Sequence, residues 1–278
     1  MIKKRSTGLK IFEICFVLAT VITHWIIFYF IIINSFKVKS EASLLNLSLP
    51  KEWNILENYS FIFQYSNGAF LKAFKNSAAL TFWSIFILVI VASMTAFIMQ
   101  RRRDKICKAS DKLIVAGLIV PASIIPTYWM LSKLGLANTL PGLIMVEVAS
   151  LFPFATMMYK GFIATIPKEI DEAAIVDGCS SLSLFYNIIF PLLKPITATV
   201  VILRSIVVYN DFQNPQYYMS GSGSQTIQLC VYGLQSAFDT DYSHLFAAIV
   251  TASLPMILIY LLLNKKILEG MTSGAVKG

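Results

Sequence analysis

In this chain of 278 residues, 56% are hydrophobic and only 14% are charged, well below the roughly 25% charged of an ordinary soluble domain. A buried core in a chain of this length cannot absorb so much apolar surface, which excludes a water-soluble fold. The net charge of +8 lies in short clusters beside apolar runs (Lys3 to Arg5, Arg101 to Lys108, Lys265 and Lys266), which excludes a basic nucleic-acid surface and marks the ends of membrane spans.

A helix crossing a hydrocarbon layer of roughly 30 Å needs about 20 residues. Six runs qualify, at about 11–33, 78–99, 113–131, 140–159, 196–217 and 245–263. The expected fold class is therefore all-α, a polytopic membrane protein with six transmembrane helices in a single domain over 1–278. The first run follows a basic start, yet it is longer than the hydrophobic region of a signal peptide. "NSFKVKS" after it is no small-residue cleavage site, so it reads as an uncleaved span. "WNILENYSFIFQY" at 53–65 is amphipathic and aromatic, and suits either a helix lying at the outer membrane surface or a connecting loop. Pro121, Pro126 and Pro153 predict kinks or breaks in the third and fourth spans.

With six spans both termini share one side. That side carries sixteen cations and the other six, which places both termini in the cytoplasm of a cell membrane, together with the loop at 161–195. This loop holds Glu169, Asp171, Glu172 and Asp177, a cluster that lipid does not tolerate. Pro167 suits the start of a short helix, and the carboxylates complement its N-terminal dipole. Ala173 and Ala174 let another surface approach the backbone, and Gly178 permits a sharp end. A second amphipathic stretch, "LFYNIIF", follows, and Pro191 and Pro195 break the chain before it re-enters the membrane. The loop reads as a docking knob for another protein; it has no histidine and no glycine-rich phosphate cradle.

The spacing Glu172-Ala173-Ala174, three residues, Gly178, nine residues, Ile188, then Pro191 resembles the EAA loop of ABC-importer permease subunits, departing from it at Phe190, where leucine is usual. "ENYSFIF", "FKNSAALT", "VPASIIPTYWMLSKLGLANTLPGLIM", "YNDFQNP" (with Tyr209 where tryptophan is commoner) and "EGMTSGAVKG" resemble, in order, segments of the carbohydrate branch, in particular maltose-permease-like second subunits. The resemblance implies a type I ABC-importer permease fold whose cytoplasmic coupling helix meets a separate ATPase dimer through Glu172, Ala173, Ala174, Asp177, Gly178, Ile188 and Pro191. It further implies a second homologous permease subunit, an extracytoplasmic solute-binding protein and a sugar or oligosaccharide cargo. ATP and Mg would be used by the partner ATPase. This chain has no phosphate-loop motif, so it is expected to be no enzyme and to hold no cofactor. The tail at 265–278, with Gly274, Ala275, Val276, Lys277 and Gly278, would reach toward the ATPase, or is simply a disordered end.

Three charged residues fall at membrane depth: Glu147, Arg204 and Asp211. Arg204 and Asp211 are seven apart and so share a face of a continuous helix. With Tyr209, Asn210, Phe212 and Asn214 they suit a substrate path, where aromatic faces stack on sugar rings and amides bond hydroxyls. They suit equally well a packing role or a contact with the second subunit. Cys15, Cys107, Cys179 and Cys230 show no metal-ligand spacing, and His24 and His244 stand far apart in the chain, so no metal site is expected. A secondary transporter or channel leaves the EAA loop unexplained, and a membrane-embedded enzyme lacks convergent catalytic groups. An ABC permease for a non-sugar solute keeps the mechanism and changes the cargo.

Overall fold

The computed structural model describes residues 7–102, 104–121, 123–219, 225–235 and 240–275, with side-chain surroundings from 12 to 262. Among these every regular element is helical, with one isolated antiparallel bridge, Lys37–Trp53. Among the described residues four helices are long and apolar enough to cross a membrane. A fifth is added if Ser181–Leu192 and Lys194–Tyr209, which meet at 75°, count as one bent span.

The chain forms two compact units, residues 1–70 with 230–254, and 71–229 with 255–278. The first unit contains α1 (Thr7–Asn34), α2 (Lys39–Ala42) and the start of α3 (Ile55–Arg101). Its polar hub is Lys37, which is 1% exposed and donates to the Asn34 side chain (3.0 Å), the Asn46 carbonyl (3.0 Å) and the Asn46 side chain (2.8 Å). Burial pushes the Lys37 ammonium below its usual pKa, and Glu41 opposes that. His24 bonds the Thr20 carbonyl, and the His244 ring stacks on Phe61 at 3.8 Å. The stretch at 53–65 is largely helical, the first arm of α3. The arm ends at Tyr65–Gly68, where Ser66, Asn67 and Gly68 all take left-handed φ.

The second unit continues α3 and adds α4 (Lys105–Ile119), α5 (Ile124–Lys133), α6 (Leu140–Ile163) and α7 (Glu169–Val176). A hairpin arm follows, α8 (Ser181–Ser183), a π-helical turn (Leu184–Ile189) and α9 (Phe190–Leu192); then come α10 (Lys194–Tyr209), α11 (Gln213–Tyr218) and the start of α12 (Ile227–Gly233). The last helix, α13 (Tyr242–Ala275), runs through the boundary at Leu254 and Pro255. The core of this unit packs α3, α6, the hairpin arm and α10 around Leu88, Leu143, Ala155, Ile189 and Val200.

Two expected spans are interrupted. The third, 113–131, is divided between α4 and α5, because Pro121 has no N–H to continue the helix and forces Val120 into extended backbone (ψ 121°). At about 1.5 Å per residue neither piece alone crosses the hydrocarbon. The fifth, 196–217, stops at Tyr209: the Asp211 carboxylate takes the N–H groups of Gln213 and Asn214 and starts a separate short helix. Pro153, by contrast, sits inside an unbroken α6, where Gly117 of α4 leaves room for its ring; a Cβ there would lie 3.1 Å from Pro153 Cγ.

Candidate functional site

The first candidate region is α7 and the turn after it. Glu169, Asp171 and Glu172 occupy its first turn, as the dipole favours. At the far end Gly178 takes φ 79°, with its N–H on the Ile175 carbonyl and the Cys179 N–H on the Ala174 carbonyl, a Schellman ending that only a left-handed residue closes cheaply. Ala174 is turned inward against the core, so of the two alanines only Ala173 lies on the free face. Glu172, Asp177 and Gly178 are exposed there too. Reasoning from sequence missed Ile175 (61% exposed) and Val176 (86%), large apolar groups standing free on the same helix. It also missed that Asp171 is buried against Arg101. The signal was available: in an eight-residue helix with Ile170 and Ala174 inside, Asp171 flanks the buried stripe and Ile175–Val176 point away from most of it. Ile188 is half-buried in the hairpin arm and Pro191 is exposed beyond it, where the 75° bend begins.

The second region is the antiparallel seam of α6 against α10 and α11. Three rungs cross it in register. Tyr159 donates to Thr197 (3.1 Å); the Arg204 guanidinium lies 4.1 Å over the Phe154 ring; and Asn214 donates to the Glu147 carboxylate (3.2 Å). Glu147 is 2% exposed, and Arg204 Nε finds no hydrogen-bond partner among the described residues. The reading that Arg204 and Asp211 share a helical face fails because the helix ends at Tyr209. The two still fall on one seam, through α6 rather than through their own helix. Asn210 is apart from the rungs, accepting from Gln228 (3.1 Å).

Residues 11–271 match the family described as binding-protein-dependent transport system inner membrane component. The chain belongs to that family. It is 33% identical to the melibiose/raffinose/stachyose import permease protein MelC of Bacillus subtilis, over 99% of this chain and 100% of that one. It is 32% identical to AmyC of Thermoanaerobacterium thermosulfurigenes, a probable starch degradation products transport system permease, over 90% of each. A chain of the bacterial ABC transporter involved in the import of the acidic polysaccharide alginate superposes with a TM-score of 0.83 at 18% identity. That match covers 95% of this chain and 99% of that one, and shows a shared fold.

Within this permease the residues expected along a substrate path separate. Glu147, Asp211 and Asn214 come together, and Arg204 lies on the same seam. Tyr209 instead faces a cavity of about 580 Å³ walled by Phe82, Phe86, Phe185, Phe190 and other apolar groups. Such a wall offers little to sugar hydroxyls, which need hydrogen-bond partners on leaving water. Phe212 begins the turn into α11. Of the tail residues, Gly274 and Ala275 end α13 with their side-chain surroundings undescribed, and Val276, Lys277 and Gly278 lie outside the described residues.

Proposed function

We propose that the chain is one of two homologous translocation subunits of an ATP-driven importer for a sugar or short oligosaccharide. On this reading a separate cytoplasmic ATPase dimer docks on α7, and a solute-binding protein delivers cargo from the other side. The observation that carries it is the free face of α7. Glu172, Ala173, Ile175 and Val176 stand uncovered on a helix whose end is fixed by Gly178, in a loop too acidic for lipid. ATP-driven closure of the ATPase would move α7, and the spans attached to it would turn the seam from one side of the membrane to the other.

We read α4 and α5 as one broken span and α10 as another, which gives six with both termini cytoplasmic, in line with the distribution of lysine and arginine. The tail at Gly274–Gly278 would approach the same ATPase. Glu147, Asn214, Asp211 and Arg204 are the polar groups of the path on this reading, and the printed names of MelC and AmyC support sugar as cargo.

The test is a mild-detergent purification of the tagged chain from its own membranes, followed by reconstitution into liposomes. Co-purification of a second permease and an ATPase, with uptake that requires ATP and a sugar-binding protein, is the expected result. Isolation of the chain alone, moving solute without ATP, would replace this reading with a secondary transporter.

A further inference from the structure

We infer that the Arg101–Asp171 ion pair is the strut through which α7 moves the membrane-spanning helix α3. The inference rests on α7 being the docking helix. Arg101 is the last residue of α3, and Asp171 lies in the first turn of α7. Arg101 Nε lies 2.6 Å from one carboxylate oxygen of Asp171, and Nη2 donates to the other at 3.2 Å. The same Nη2 donates to the Ile166 carbonyl at 3.2 Å, in the chain just before α7. One planar guanidinium thus ties the end of a span to the docking helix and to its entry, with both side chains nearly nine-tenths buried.

Three observations give the pair a role beyond holding the fold. First, among the described residues no other ion pair or side-chain hydrogen bond leaves α7; its remaining links are apolar packing of Ile170 and Ala174. Second, Asp171 is the one acid of its turn that faces away from the free surface, while Glu169 and Glu172 already supply the favourable charge at the helix start. Third, a buried ion pair adds little net stability compared with apolar side chains of similar volume, so stability alone does not account for it. Packed apolar groups slide past one another; a guanidinium paired with Asp171 and bonded to the Ile166 carbonyl resists both sliding and rotation.

The experiment measures solute uptake and ATP hydrolysis side by side in proteoliposomes holding the complete transporter and its binding protein. The double variant Arg101→Met/Asp171→Leu replaces the pair with packing and so preserves the fold. Its expected behaviour is normal assembly and continued ATP hydrolysis, with uptake per ATP lower by about tenfold. Uptake per ATP at the parental value would overturn the strut, because an apolar substitute restores a merely structural contact. Arg101→Lys keeps the charge and loses the planar guanidinium that joins Asp171 to the Ile166 carbonyl, and decides the matter if the double variant does not assemble. A reduced ratio supports the strut and an unchanged one removes it. Parental uptake that ignores ATP would instead overturn the docking-helix reading itself, so the two failures are distinguishable.

Discussion

The acidic helix α7 and the α6–α10 seam carry opposite anomalies. On α7, Ile175 and Val176 are apolar and exposed in the most acidic stretch of the chain. Along the seam, Glu147 is polar and buried in a membrane-spanning helix. An exposed apolar patch is completed by another molecule, whereas a buried polar group must be satisfied from within. The seam does so by pairing Glu147 with Asn214 and Tyr159 with Thr197, and sets the Arg204 guanidinium over the Phe154 ring. On the proposed function the surface of α7 meets a partner, whereas the seam satisfies itself mainly from within.

The largest effect expected is on the docking side. Gly178→Asp places a side chain at φ 79°, where nothing lies within 4 Å of the new Cβ, so the damage comes from backbone strain and a charge at the bend rather than from a clash. Membrane abundance should be unchanged and uptake should fall to background; Gly178→Asn, which tolerates left-handed backbone, should retain much more. Val176→Asp should come next. It leaves a side chain already 86% exposed in water, so thermal stability in detergent should hold while co-purification of the ATPase drops. Normal uptake with either aspartate variant would mean that the free face of α7 has no partner.

On the seam the sign reverses, and stability responds. Glu147→Leu leaves the half-buried Asn214 amide without its acceptor, at a cost of about 1 kcal/mol, whereas Glu147→Gln keeps an oxygen for it and should unfold near the parental temperature. Equal losses in the two variants would show that the oxygen offered to Asn214 is not what the carboxyl group contributes.

What could be read from the sequence follows the same division. The docking segment announces itself through Pro167, the acids and Gly178, since caps and charges act over four residues and need no distant partner. The apolar runs likewise announce the spans. The breaks were harder. Pro121 pointed to one, but its depth depended on Val120 adopting extended backbone. The stop at Tyr209 came from Asp211 capturing two N–H groups, a local competition that hydropathy does not register. The partners that cross between elements, Asp171 with Arg101 and Glu147 with Asn214, join residues about 70 positions apart. Periodicity places each on a face and says nothing of what that face meets.

The smallest effect sharpens the comparison most, because it asks whether a seam rung is worth more than its bond. Tyr159 is fully buried, and its hydroxyl donates to Thr197 at 3.1 Å. Tyr159→Phe removes that donor but leaves no orphan, since the Thr197 hydroxyl can turn to the Leu193 carbonyl one helical turn back, to which its own backbone N–H is already bonded. The cost should therefore be about 0.5 kcal/mol, at the low end for a neutral hydrogen bond, with uptake preserved. Thr197→Val should cost a similar amount, and the pair of changes together little more than either alone, as expected for two groups that bond only each other. Measured melting temperatures of the two single variants and the double test this directly. A much larger loss of uptake than of stability in Tyr159→Phe would place this end of the seam in the path of the cargo.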